Sequence, residues 1–160
     1  MLTHLDEQGR AQMVDVSAKA DTERVAIAKG SVILLKTTRE LIVRGGIEKG
    51  DVFAVARVAG IMAAKRTHEL IPMCHPLLLT DVEVRFEDAE APDETHAQID
   101  ITGLAKNVGK TGVEMEALVA VANAALTIYD MVKAVDRRVR VDNIRLVYKA
   151  GGKGGELKLE

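Results

Sequence analysis

Residues 109–136 read GKTGVEMEALVAVANAALTIYDMVKAVD, and the period of this stretch decides the fold. Between Glu116 and Asp130 nearly every residue is Ala, Val, Leu or Ile. A helix from about Gly112 to Val135 would carry Leu118, Val121, Ala125, Ile128 and Val132 as one apolar stripe, the face that a sheet or another helix must cover. The same helix would hold two charge clusters apart. At ~1.5 Å of rise per residue, Glu116 and Asp130 stand roughly 20 Å from one another, too far to serve one small reacting centre. A second subunit whose copy of the helix runs antiparallel across a two-fold axis is the simplest way to unite them.

Working outward, Arg24 to Leu35 is rich in Val and Ile and reads as a strand, after a short extended piece around Met13 to Val16. Thr37 or Thr38 is positioned to cap a helix through Arg44 that stops at Gly45-Gly46. Asp51 is the expected N-cap of a second helix, with Phe53, Ala56, Ala59, Gly60 and Ala63 at helical intervals and Pro72 marking its end. Its small face, Ala56, Gly60 and Ala63, predicts close approach to another helix or the sheet. Two alternating stretches, Leu79 to Glu87 and His96 to Leu104, read as a hairpin joined by the polar loop EDAEAPDE. Arg140 to Lys149 alternates imperfectly and predicts a strand with a bend near Asp142-Asn143. The order matches the βαββαβ pattern of an α+β, ferredoxin-like sandwich, an antiparallel sheet with helices on one face.

The chain of 160 residues is expected to form a single domain over 1–160. Residues 1–12 read as an N-terminal arm and 150–160 as a flexible Gly/Lys-rich tail. A single cysteine, Cys74, rules out an internal disulfide and suits a reducing cytosol. No apolar leader and no uncharged run of membrane-spanning length is visible, so a cytoplasmic location without membrane attachment is expected. A net charge of −2 with only Phe53, Phe86, Tyr129 and Tyr148 as aromatics argues against nucleic acid as a partner.

Several local groups carry possible chemistry. GLAKNVGKT resembles a phosphate loop, but five residues separate Gly103 from Gly109 where the motif requires four. The helix start at Gly109 to Gly112 can still favour an anion, or simply begin a helix. In IPMCHPL, Pro72 and Pro76 stiffen a loop presenting Cys74 and His75, either for proton exchange or as a satisfied turn histidine. Two adjacent donors without a second cluster do not make a closed metal site. Lys49 in GIEKGD sits just ahead of a helix, within reach of a phosphate or merely at the surface. Asp130 and Lys133 form an i, i+3 pair, a shared-proton pair or a surface ion pair. Glu114 and Glu116, two apart, should point to different sides of the helix and not act as a dyad. The tail KAGGKGGELKLE is either a flexible terminus or a Gly-rich loop whose N–H groups and Lys149 or Lys153 close over an anion.

Taken together, KGDVFAVARVAGIMAAKRTHELIPMCHPL, GKTGVEMEAL and YDMVKAVDR resemble the cyclic pyranopterin monophosphate synthase family, molybdenum cofactor biosynthesis protein C, from about Met13 to Gly155. The resemblance implies a ferredoxin-like fold, a hexamer built from dimers, and an active site at a subunit interface. It implies conversion of the GTP-derived (8S)-3′,8-cyclo-7,8-dihydroguanosine 5′-triphosphate into cyclic pyranopterin monophosphate with release of diphosphate, a lyase reaction without an organic cofactor or protein-bound metal. By motif position, Lys49, His75, Asp130 and Lys133 are the implied catalytic residues. Met73, Cys74, His75, Glu114, Met115 and Glu116, with Lys149 and Lys153, are the implied substrate contacts.

Two departures stand out. Val132 occupies a position where many relatives carry Cys, and Ala150 and Gly154 replace serines of a KSGGKSG tail, which leaves the two tail lysines but removes any hydroxyl contact to phosphate. Beside the synthase stand two other classes: a non-catalytic oligomeric module binding an anionic metabolite, and a purely structural oligomer.

Overall fold

A computed structural model describes residues 5, 6 and 8–160. Of the arm expected over 1–12, residues 1–4 and 7 lie outside the described residues. The elements run β1 Thr22–Leu35, α1 Lys36–Val43, α2 Val52–Ala64, α3 Thr67–Leu70, β2 Leu79–Ala89, β3 His96–Gly109, α4 Glu114–Val132, β4 Arg140–Ala150 and β5 Leu157–Lys158. The five strands form one antiparallel sheet in the order β2-β3-β1-β4-β5. With α2 and α4 packed on it, this is the ferredoxin-like α+β sandwich that the periodicities predict.

The core lies between the sheet and α4. Ala26, Ala28, Val32 and Leu34 of β1 and Ile99, Ile101 and Ala105 of β3 meet Ala117, Val121, Ala124, Ala125, Ile128 and Val132 of α4, all buried. The predicted stripe is right at Val121, Ala125, Ile128 and Val132, while Leu118 is half-buried. Glycine sets how close the layers come. A Cβ on Gly103 would stand 2.7 Å from Val121 Cγ2, and one on Gly60 would stand 2.8 Å from the Ala120 carbonyl oxygen. Asn123 Nδ2 donates to the Ala59 carbonyl at 2.9 Å, fastening α4 to α2.

The short piece around Met13 to Val16 lies in no strand or helix, and four other local expectations are corrected. Neither Thr37 nor Thr38 caps α1. The N-cap is Leu35, without a side-chain bond of its own, and buried Asp136 does the capping from beyond α4, accepting from Leu35 N–H at 2.9 Å and Thr38 Oγ1 at 3.2 Å. The second helix ends at Ala64, well before Pro72, because the buried Thr67 hydroxyl donates to the Ala64 carbonyl at 3.0 Å and turns the chain. The long helix is shorter than expected at both ends, Glu114–Val132. Finally, β3 continues past Leu104 to Gly109, with Ala105 and Asn107 still pointing inward, so only residues 110–113 separate strand from helix.

Other local readings hold. Asp51 accepts from Ala54 N–H at 3.0 Å as the N-cap of α2. Gly45 takes φ 68° as α1 ends. The bend in β4 falls at Asn143, φ 53°, where the β1 register shifts between Lys29 and Ser31. Unforeseen in the sequence, the tail turns back at Gly151, Gly152 and Gly155, all with positive φ, and β5 pairs with Tyr148 and Lys149.

Candidate active site

The first turn of α4 forms one wall of a cavity of about 470 Å³. Glu114, Met115 and Glu116 come from that turn, and Met73, Cys74 and His75 from the loop that the two prolines stiffen. Thr111 and Gly112 contribute from the short β3–α4 connection, and Val14, Val16 and Lys19 from the N-terminal segment. Sequence spacing placed Glu114 and Glu116 on different sides of the helix, yet both line this cavity. The cavity sits at the end of the helix, not along its side, so angular separation does not part them.

The two carboxylates are nonetheless in different states. Glu116 is only 4 % exposed, and burial, with repulsion from Glu114, pushes its pKa up to about 7, against the pull of its own backbone N–H. Burial also works to raise Glu114. There, however, Lys149 Nζ donates at 2.7 Å to Oε1, and with the Glu114 N–H and the Arg24 charge it holds this carboxyl below the ordinary value. Burial and then the charges of Glu116 and Glu114 raise the Cys74 thiol, so Cys74 contributes a wall and not a nucleophile.

Cations collect next to this cavity. A recess of about 160 Å³ shares Lys19, Thr111, Gly112 and Glu114 with it and adds Arg24, Lys110 and Lys149. A further cavity of about 630 Å³ contains Lys19, Arg24 and Lys153 together with Asp15. Lys153 thus lines neither the main cavity nor the cationic recess. Arg24 and Lys19 were missed in the sequence. Arg24 looks like an ordinary outward strand residue until its guanidinium is seen donating to the Gly109 and Lys110 carbonyls, both at 3.3 Å.

At the other end of α4 lies the second cluster. Lys49 Nζ donates to Asp130 Oδ2 and to the Asp130 carbonyl, both at 2.7 Å, and Lys133 Nζ is 2.6 Å from Asp130 Oδ1. Hydrogen bonds from Lys133 and then Lys49 hold Asp130 down to about 2, and Asp130 in turn raises Lys133. The structure thus joins Lys49, Asp130 and Lys133 to each other, but not to the cavity. Because α4 is continuous from Glu114 to Val132, the two clusters remain roughly 20 Å apart within one chain. Among the described residues no group of three or more His, Cys, Asp or Glu is disposed to hold a metal ion.

An open-faced α+β sandwich whose pocket sets a carboxyl with its pKa raised to about 7 and an imidazole beside a bank of cations has groups suited to acid–base chemistry on an anionic small molecule. The chain belongs to the MoaC family, whose profile matches residues 13–152. It is similar to proteins named cyclic pyranopterin monophosphate synthase. That of Heliobacterium modesticaldum is 58% identical over 154 residues, covering 96% of this chain and 94% of the relative. That of Thermomicrobium roseum is 57% identical over 159 residues, covering 99% and 93%. The Pelotomaculum thermopropionicum protein is 55% identical over 154 residues, covering 96% and 88%.

Proposed function

We propose that this chain is a cyclic pyranopterin monophosphate synthase. It is a lyase of molybdenum cofactor biosynthesis that converts (8S)-3′,8-cyclo-7,8-dihydroguanosine 5′-triphosphate into cyclic pyranopterin monophosphate and diphosphate. The observation that carries this reading is the similarity at 55–58% identity over nearly the whole chain, with His75, Glu114 and Glu116 lining the cavity at the start of α4 and Lys49, Asp130 and Lys133 clustered at its end.

Each residue type has a task. Closing the cyclic phosphate joins a sugar hydroxyl oxygen to the α-phosphorus while the bond to diphosphate breaks, so the hydroxyl needs a base and the phosphate oxygens need neutralising charge. Lys149 and Lys153, with Arg24, Lys19 and Lys110, supply that charge. Rebuilding the rings needs proton exchange near neutrality, which suits Glu116 and His75. Met73, Cys74 and Met115 shape the pocket, and Glu114 orients Lys149. Asp130, ionised between two ammonium groups, keeps Lys133 protonated and ready to donate.

The complete site combines the pocket of one protomer with the partner subunit's Lys49, Asp130 and Lys133, in a two-fold dimer that assembles further into a hexamer in the cytoplasm. Val55, Val58 and Met62 support this, since they form an exposed apolar stripe on α2 with Leu126 of α4 also exposed. The test is incubation of purified protein with the cyclic intermediate. Release of diphosphate is expected. A ligand-induced rise in Tm without turnover would instead identify a binding module.

A further inference from the structure

Residues 11–19, which form no strand or helix beyond a bridge at Ala11, contribute Val14, Val16 and Lys19 to the cavity wall. Two side chains tie this strap to the body of the protein. His75 Nε2 lies 2.8 Å from the Val14 carbonyl oxygen, and Lys110 Nζ donates to the Ser17 carbonyl at 2.7 Å. Between the ties, Asp15 Oδ1 accepts from the Ser17 N–H at 2.8 Å and from its hydroxyl at 2.5 Å, which stiffens the turn.

The tie at Val14 has a chemical consequence. A carbonyl oxygen only accepts, and a neutral imidazole carries a single N–H, so this bond requires the proton on Nε2. Nδ1 is then the ring's lone-pair nitrogen. Among the described residues the bond to Val14 is the only hydrogen bond of the ring. A backbone carbonyl also differs from a carboxylate partner: it fixes the tautomer and the ring plane without adding a negative charge to the pocket.

We propose that the strap of residues 11–19 sets the working tautomer of His75, the Val14 carbonyl holding the proton on Nε2 so that Nδ1 is the acceptor for a substrate N–H or O–H. Val14 is thus a positioning residue that acts through its backbone, and the Lys110–Ser17 bond keeps its carbonyl in place. This rests on the reading of the cavity as the site of turnover.

Long-range proton–nitrogen NMR of the intact chain with labelled histidine, above the pH at which the ring titrates, reads the tautomer without substrate. A pyrrole-type nitrogen at Nε2 and a pyridine-type nitrogen at Nδ1 are expected for His75. Removal of residues 1–16 keeps Lys19 but deletes the Val14 carbonyl. That should mix the two tautomers and lower kcat about 10-fold, with a smaller change in KM. An Nδ1–H tautomer in the intact chain overturns the proposal whatever the truncated chain does, as does a truncated chain that keeps both the Nε2–H tautomer and full kcat. Failure of the intact chain to release diphosphate would refute the proposed function instead, and would leave the tautomer result standing on its own.

Discussion

The two ends of α4 carry the same chemical groups, carboxylates beside lysines, in opposite settings. At the N-terminal end Glu116 is 4 % exposed and titrates at about 7. At the C-terminal end the Asp130 side chain is 54% exposed and is held at about 2 by two lysines. Burial makes one carboxyl an exchangeable proton near neutrality, while ion pairing in the open fixes the other as a permanent charge. One helix thus supplies two kinds of electrostatics, and neither end has the full set of groups that the proposed reaction needs.

The sharpest way to break this comparison is to remove the lysines of the open end. Lys49→Ala and Lys133→Ala should each lower diphosphate release on the order of 10²- to 10⁴-fold, the range for a lost proton-transfer group. Their Tm should barely move, since both side chains are about half exposed and pair with Asp130 in the open. Near-normal turnover in either protein would leave the open cluster a surface ion pair.

At the closed end, His75→Asn should reduce turnover on the order of 100-fold, because Asn can hydrogen-bond but cannot exchange a proton near neutrality. A protein that melts early yet turns over normally once folded would show that the ring only secures the strap.

Glu116 offers a test independent of activity. Its folded pKa of about 7 exceeds the ordinary 4.5, so the folded state binds the extra proton between those values and stability falls as pH rises through that window. The loss is complete above about pH 7 and amounts to on the order of 3 kcal/mol. In Glu116→Gln this contribution should vanish. Urea unfolding of both proteins at about pH 5 and about pH 8 checks it, and parallel pH dependences would mean that Glu116 ionises as freely as an exposed carboxylate.

The smallest difference to be read is a factor of two. Inactive Glu116→Gln and Asp130→Asn subunits, partly unfolded and reassembled together, should form mixed dimers in which one site has both defects and the other has neither. Activity per mixed dimer should then approach half of wild type. If mixed oligomers form and stay inactive, the two ends of α4 do not meet across an interface.

What could be read from the chain alone was what short-range periodicity encodes. The apolar core helix, the strand at Arg24 to Leu35, the Asp51 cap and the bend at Asn143 follow from spacing and local backbone preference. The motif residues follow from resemblance. Glu114 and Glu116 line one cavity because it lies at the end of the helix, and their opposite states come from partners that sequence spacing does not reveal. The α1 cap was misread because its acceptor, Asp136, lies 101 residues from Leu35.

The sequence by itself therefore determined the main elements, their order and the chemical inventory, because each depends on neighbours a few residues apart; the short α3 and β5 were not among them. Only the tertiary structure decided which groups meet. Placing β1 between β3 and β4 brings Arg24 to the β3–α4 connection and Lys149 to Glu114. The fold likewise sets Val14 against His75, 61 residues away. Whether a carboxyl is buried at the mouth of a helix or paired in the open is fixed by those long-range contacts, and it separates Glu116, raised to about 7, from Asp130, held at about 2.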